Sequence, residues 1–147
     1  MKKKPKLRTY LLLKAKLSFE PYLTCRESLR RSLMTQLRVG ANTLKIERGR
    51  WEKKKVEGRV CDVCSTNQVE DEKHFVLECS GYDKVRQDLY NDSDRVKYNI
   101  NPVIGDKKQL LNALIGDGLP GWTEQVVEIV MKYIDRAFRI RKRSLEN

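Results

Sequence analysis

The residues with the most distinctive chemistry in this chain are three of its four cysteines and its single histidine. They follow one another with the spacing Cys61-x2-Cys64-x9-His74-x4-Cys79. Thiolate sulfur and imidazole nitrogen are donors that tetrahedral Zn²⁺ prefers, and four protein donors fill its coordination shell. The spacing therefore predicts one structural zinc ion, held by a site with no open position for catalysis.

Two other interpretations of these cysteines remain open. A C-x2-C pair can be redox-active, but it would then be expected beside a βαβ pattern, which the sequence lacks. The cysteines could also be unrelated buried side chains. Zinc is favoured because the only histidine falls in register with three cysteines. Cys25 is not assigned to the metal and is expected to be a small buried apolar side chain.

A short helix is expected to carry His74 to the metal. It would begin near Val69, with three acidic residues at 70–72 close to its positive N-terminal end. Cys79 follows His74 by five residues, so in an ideal α-helix it would point about 140° away. The helix must therefore end before Cys79, or Cys79 must lie in its final turn.

The positive charge is concentrated in the first 60 residues. The chain has 31 Lys and Arg against 20 Asp and Glu, and residues 1–60 contain 18 of the basic residues but only 5 of the acidic ones. Such a surface attracts phosphate through counterion release, so nucleic acid is the expected partner. The alternative is a solvated surface that only aids solubility. The residues predicted to contact nucleic acid are Arg26, Arg30, Arg31, Arg38, Lys45, Arg48, Arg50, Lys53, Lys54 and Lys55.

The same region shows helical periodicity. Thr24 and Glu27 form a T-x-x-E capping box, which predicts a helix that Gly40 would end. The apolar stripe of this helix would consist of Leu29, Leu33 and Leu37.

A second short helix is expected near Asn42, and residues 47–60 are expected to form a charged loop. Trp51 in this loop has two interpretations. It could be a ring on which a base stacks, or the anchor of a small local core, and the core is favoured.

After residue 79 the sequence is predicted to be helical. One helix would start at Ser80 and end before a polar loop at 91–101, and another would start at Asp106. Thr123 would cap a last helix with a basic end at residues 139–143. That end is expected to be solvated and to complement the helix dipole, and contact with nucleic acid is the alternative.

The chain is thus predicted to be mostly α, a small helical domain built around one CCHC zinc finger with a helical C-terminal part. Its predicted parts are a basic disordered tail (1–8), a basic helical region (9–60), the zinc finger (61–79) and a C-terminal helical region (80–147).

Several stretches resemble a known family. They are RSLMTQLRVGANTLKIERGRW, the C-x2-C pair, VEDEKHFVLEC and GYDKVRQDLY. Together they resemble the CCHC zinc-finger region that follows the polymerase in reverse transcriptases of non-LTR retrotransposons. The resemblance covers roughly residues 25–90 and implies a role in holding template RNA or target DNA, with Cys61, Cys64, His74 and Cys79 as the metal ligands. The sequence has neither the Tyr-x-Asp-Asp run of the polymerase nor the Pro-Asp motif of the associated endonuclease.

Two functional hypotheses follow. The first is a zinc-stabilised module that binds RNA or DNA phosphates. The second is a structural or protein-interaction module, in which zinc only holds a helical scaffold against a reverse-transcriptase core. This hypothesis predicts an exposed apolar patch on the final helix. Neither is an enzyme, because the only histidine is committed to the metal and no phosphate-binding glycine loop is present. No membrane or small-molecule partner is expected, and the location is expected to be intracellular, nuclear or cytoplasmic.

Overall fold

The computed structural model describes most of the chain as helix, which confirms the predicted fold class. Among the described residues there is no strand, and the one extended pairing is an isolated antiparallel bridge between Val60 and Val69. The predicted tail lies outside the described residues except for Arg8, which begins the first helix. The described residues are 8–13, 19–98, 100, 106–116, 118 and 121–147.

Six α-helices account for most of the described part of the chain. In chain order they are α1 (Arg8–Leu13), α2 (Ser28–Val39), α3 (Lys45–Trp51), α4 (Asp83–Arg95), α5 (Lys107–Ile115) and α6 (Glu124–Glu146). The segment with the predicted metal ligands lies between α3 and α4. It contains a short π-helix at His74–Glu78, followed by a 3-10 turn at Ser80–Tyr82.

The long helix α6 forms the centre of the fold. As predicted, Thr123 caps its start, and the Thr123 hydroxyl accepts a hydrogen bond from the Val126 amide at 3.3 Å. Helix α6 packs against α2 on one side and α4 on the other, while α5 packs against α2 and the π-helix. No described helix, not even this one of 23 residues, combines the length and the apolar character needed to cross a membrane.

The predicted start of α2 is wrong. Thr24 belongs to a 3-10 turn at Pro21–Thr24, where its hydroxyl donates to the Pro21 carbonyl at 2.8 Å instead of capping a helix. Helix α2 begins only at Ser28, after Glu27. Gly40 ends it in the left-handed conformation (φ 70°), as expected of a glycine in that position.

The predicted apolar stripe of α2 holds only in part. Leu37 is fully buried, but Leu29 is 57% exposed because it lies in the first turn, beyond the main core. Met34 and Arg38 occupy the buried face beside Leu37. A leucine repeat alone therefore did not identify the packed side of the helix.

Two helices are longer than predicted. Residues 47–51, expected to begin a loop, belong to α3, which follows a turn in which the Asn42 side chain accepts the Leu44 amide at 3.1 Å. Helix α4 begins at Asp83 and not at Ser80, which lies in the preceding 3-10 turn, and it continues through the polar residues 91–95. Ser93 is buried there, and its hydroxyl donates to the Tyr90 carbonyl within the helix. Burial of Ser93 and local side-chain bonds, such as Arg95 to Asp92 at 3.1 Å, accompany helix formation here despite the weak helix propensity of these residues.

We expect Ile134→Ala to lower the free energy of unfolding by about 2–5 kcal/mol, because it removes a fully buried side chain from the centre of α6. Urea denaturation followed by circular dichroism measures this change. Leu29→Ala, at an exposed position of α2, is the matched control and should change stability by less than about 0.5 kcal/mol. Equal losses in the two variants would contradict the packing described for α6.

Candidate metal centre

The first two cysteines lie in a loop closed by backbone pairing. The Val60–Val69 bridge brings its two ends together, and the Cys61 amide donates to the Gln68 carbonyl at 2.9 Å. Inside the loop the Val63 amide points at the Cys61 sulfur, at 3.4 Å. The tight turn after Cys61 therefore presents both sulfurs of the C-x2-C pair on one side, with an amide available to stabilise a thiolate.

The other two ligands are placed by the π-helix. The expected helix start near Val69 is wrong, since helical residues begin at Glu72. The side chain of Asp71 accepts the His74 amide at 2.8 Å, and the Cys79 amide donates to the His74 carbonyl at 2.8 Å. That bond spans five residues, so the wide turn returns Cys79 to the side of His74. The sequence left two alternatives, that the helix ends before Cys79 or that Cys79 lies in its last turn. In the structure the helix ends before Cys79, at Glu78.

The four predicted ligands meet at one point. Their donor atoms all lie within 4.8 Å of one another. The Cys61 and Cys79 sulfurs are 3.9 Å apart, and the Cys64 sulfur is 3.4 Å from His74 Nε2. Tetrahedral zinc bonds of 2.3 Å to sulfur and about 2.0 Å to nitrogen require separations of roughly 3.8 and 3.6 Å, respectively. The four side chains are thus close enough to bind a metal ion, and their arrangement is compatible with one zinc.

The imidazole of His74 is oriented by a neighbour. Its Nδ1 lies 3.0 Å from Gln68 Oε1, which leaves Nε2 directed at the cysteines. The side chain of His74 is buried, and Phe75 and Val76 beside it are fully buried. Such a hydrogen bond to the outer ring nitrogen is typical of metal-binding histidines, because it fixes both the tautomer and the ring angle. Sequence spacing gave no indication of the role of Gln68.

The three thiols differ in acidity. Burial raises the pKa of Cys61, and it raises the pKa of Cys79 to about 12. Burial acts in the same direction on Cys64, but hydrogen bonds from Thr66 and His74 outweigh it and lower the pKa of that thiol to about 6. A cation binding here must therefore displace protons from Cys61 and Cys79. Its affinity is expected to fall as the pH decreases.

The metal segment is joined to α6 by a buried ion pair. The carboxylate of Glu70, which is only 1% exposed, accepts two hydrogen bonds from Arg141, one from Nε at 2.7 Å and one from Nη2 at 2.9 Å. Glu70 also accepts the Lys45 amide at the start of α3, and Arg141 donates to the Thr43 carbonyl. The basic end of α6 was expected to be solvated, and for Arg141 that prediction is wrong. The sequence did contain a sign of this burial, because Arg141 follows the same helical period as the buried apolar residues of α6.

Apolar packing makes a second connection between the metal segment and the helices. The Phe75 ring lies 4.6 Å from that of Phe138 and 5.0 Å from that of Tyr82. The carbonyl of Val76 accepts both the Tyr133 hydroxyl and Arg86 Nε. The residues next to the ligands are therefore part of the main core, so the metal site and the helices α4 and α6 form one packed unit.

One predicted nucleic-acid contact is excluded by burial. Arg38 is only 1% exposed and lies in the core, where it donates to the Ile115 and Gly116 carbonyls at the end of α5 and pairs with Glu20 at 2.6 Å. Its charge is paired with Glu20, and its N–H groups donate to carbonyls inside the protein. Arg38 is a structural residue of the α2–α5 contact and not a surface cation.

The other predicted basic residues lie at or near the surface, and most of them have acidic partners. The ion pairs are Arg30 with Glu27, Glu128 and Asp135, Lys45 with Asp62, Arg50 with Glu47, and both Arg48 and Lys54 with Glu52. Arg31 instead donates to backbone carbonyls near its helix start. Arg26, Lys53 and Lys55 are exposed, and no ion pair forms at them within the described chain.

Trp51 projects from the end of α3. Its side chain is 74% exposed, so the favoured interpretation as a local core anchor is wrong. The Arg50 guanidinium lies over the ring, 5.2 Å from its centroid. Glu52 follows Trp51 in the sequence, and then come Lys53, Lys54 and Lys55, which are all exposed. The ring therefore has basic residues on both sides of it along the chain.

Comparisons with protein-family models, curated proteins and solved structures find no match to this chain. The donor atoms of the site are therefore the guide to its chemistry. Three thiols and an imidazole close enough to bind one ion would give it four protein ligands, a set that is typical of structural metal sites.

We expect the chain to bind one zinc ion and Cys79→Ser to lose it, because the serine replaces one of four donors with a poor ligand. Native mass spectrometry before and after a chelator measures the stoichiometry, and circular dichroism measures the unfolding that should accompany removal. Cys25→Ser is the control and should retain the zinc, since Cys25 contacts Glu128 instead. Zinc retained by Cys79→Ser, or none bound by the unchanged chain, would contradict the assignment.

We expect Glu70→Gln to lower the free energy of unfolding of the zinc-loaded chain by about 3–5 kcal/mol, because it leaves Arg141 charged and buried without a counter-charge. Glu146→Gln removes the exposed partner of Lys142 and should cost less than about 0.5 kcal/mol. Urea titrations of both variants in excess zinc test this. A loss below about 1 kcal/mol for Glu70→Gln would show that the pair does not hold α6 to the metal segment.

Proposed function

We propose that this chain is a zinc-stabilised nucleic-acid-binding module with no catalytic step of its own. The four side chains Cys61, Cys64, His74 and Cys79 hold the zinc, and basic groups at the end of α3 contact RNA or DNA phosphates. The resemblance to the region after the polymerase of non-LTR retrotransposon reverse transcriptases agrees with this role. The proposal extends that resemblance to an origin as a part or derivative of such an enzyme.

The exposed ring of Trp51 is the observation that carries the proposal. A tryptophan loses favourable apolar burial when it is held in water, and an aromatic surface beside cations is the arrangement on which single-stranded bases stack. The Arg50 guanidinium lies over one face of the Trp51 ring, and the exposed side chains of Lys53 and Lys55 can contact phosphates. Stacking and phosphate contact would thus occur at adjacent positions of one short segment.

Ion pairing narrows the surface predicted from the sequence. Arg30, Lys45 and Arg50 are partly neutralised by their acidic neighbours, and Arg38 is buried. The cations best placed for phosphate are therefore Lys53 and Lys55, with Arg26 separate at the start of α2. We name Trp51 together with residues 53–55 the α3 tip. Binding through so few cations should be weak and strongly salt-dependent.

The second candidate is a structural or protein-interaction module with zinc as its scaffold. Three large apolar side chains near the N-terminal end of α2 are exposed, namely Phe19, Leu23 and Leu29. They favour a protein contact, whereas the final helix, where that hypothesis expected a patch, exposes only Leu145 among its large apolar residues. This candidate requires negligible affinity for nucleic acid.

We expect Trp51→Ala to weaken binding of a single-stranded oligonucleotide by about 5- to 150-fold, the range of one lost base stack. Fluorescence anisotropy of a labelled oligonucleotide, titrated at several salt concentrations, measures the affinity. Because Trp51 is exposed, the substitution should leave the fold intact. Val56→Ala, at an exposed apolar residue near the α3 tip, is the control and should bind as the parent does.

The same titration separates the two candidates. Lys53→Gln with Lys55→Gln should lower the slope of log affinity against log salt by about 1.4, since each phosphate contact contributes about 0.7 on a single strand. Undetectable binding by the unchanged chain at low salt would favour the protein-interaction module. Parent-like binding by Trp51→Ala would remove the α3 tip as the contact.

A further inference from the structure

A second cationic surface lies on the opposite, C-terminal part of the chain. Helices α4 and α6 leave an open groove of about 320 Å³ between them. Its wall on α6 carries Arg136, Arg139 and Arg143, and its wall on α4 carries Lys84. Val85 and Ile140 form the floor. We name this the α4–α6 groove.

The three arginines form one face of α6. Their spacing of three and then four residues places them along the same side of the helix, separated by roughly 4.5 and 6 Å along its axis. The buried Arg141 points about 140–160° away from each of them, at about 100° of rotation per residue. The ion pair of Arg141 with Glu70, together with the buried apolar face of α6, therefore holds the helix in the rotation that turns the other arginines outward.

Within the described residues, two of the four cations form ion pairs and two do not. Arg136 pairs with Asp88 at 2.8 Å, and Arg139 pairs with Asp135, which also accepts Arg30. Lys84 and Arg143 are exposed, with no ion pair in the described part of the chain. Asp135 is buried, whereas Asp88 is 40% exposed. The four cations of the groove outnumber these two acidic partners, so the groove keeps a positive charge.

We propose that the α4–α6 groove binds the phosphodiester backbone of a nucleic acid as a second contact, separate from the α3 tip. The inference rests on the proposed function in one respect, namely that the ligand is nucleic acid. Guanidinium groups match phosphate oxygens in pairs, and a row of them along a helix suits a polymer with regularly repeated charges. The open shape and the apolar floor suit a strand passing over the groove rather than an enclosed small molecule.

The zinc site would then control this contact indirectly. Glu70 is held by the bridge next to the metal loop, and it orients Arg141 and hence the outward arginines. The groove is therefore predicted to have its full affinity only in the zinc-loaded chain.

The test uses the zinc-loaded full chain carrying Lys84→Gln and Arg143→Gln, the two cations without ion pairs. The probe is a fluorescein-labelled oligodeoxythymidine longer than about 16 nucleotides, a length that exceeds common single-strand site sizes. The matched control is Lys97→Gln with Lys108→Gln, which removes the same charge from two exposed positions that do not line the groove. Circular dichroism checks that both variants keep the helical content of the parent.

We expect the groove variant to lower the salt slope by about 1.4 and to weaken binding about 25-fold at 0.1 M salt, while the control stays close to the parent. Equal effects of the groove variant and the control would overturn the groove and leave the α3 tip in place. No binding by the unchanged chain would overturn both proposals. A loss in the groove variant with parent-like binding by Trp51→Ala would support the groove and remove the α3 tip.

Discussion

The fold depends on bringing four donor atoms of a 19-residue segment to one point. That segment has little regular structure of its own, only an isolated bridge and one π-helix among its described elements. Without an ion, burial raises the pKa of the Cys61 and Cys79 thiols and favours their neutral form, and the two sulfurs contact each other, at 3.9 Å, and nearby backbone amides. We expect a bound cation to supply stronger bonds to these sulfurs and so to make the loop a fixed attachment point for the helices around it.

The position of the metal segment is transmitted to the helices by two kinds of contact. Phe75 and Val76 adjoin the ligand His74 and pack into the core between α4 and α6. Glu70 reaches Arg141 on α6 and the start of α3 through buried, charge-assisted hydrogen bonds. Both surfaces proposed to meet nucleic acid are therefore attached to elements that the metal segment orients, the α3 tip through Lys45 and the α4–α6 groove through Arg141.

The ligand set and the helical class could be predicted from the sequence because both rest on short-range patterns. Spacing alone identified the three cysteines and His74, and the caps at Gly40 and Thr123 marked real helix ends. Contacts between residues far apart in the sequence produce no such local pattern. The burial of Arg38 depends on carbonyls almost 80 residues away, and Arg141 depends on Glu70. The prediction that Trp51 anchors a small core is wrong. It rested on the general tendency of aromatic residues to stabilise small cores, and the exposure of this ring is visible only in the tertiary structure.

X-ray absorption at the zinc edge of the purified chain reports which atoms are bound to the ion. Coordination by Cys61, Cys64, His74 and Cys79 predicts three sulfur neighbours at about 2.3 Å and one nitrogen neighbour at about 2.0–2.1 Å. A shell made only of oxygen and nitrogen, or one with fewer than three sulfurs, would contradict it.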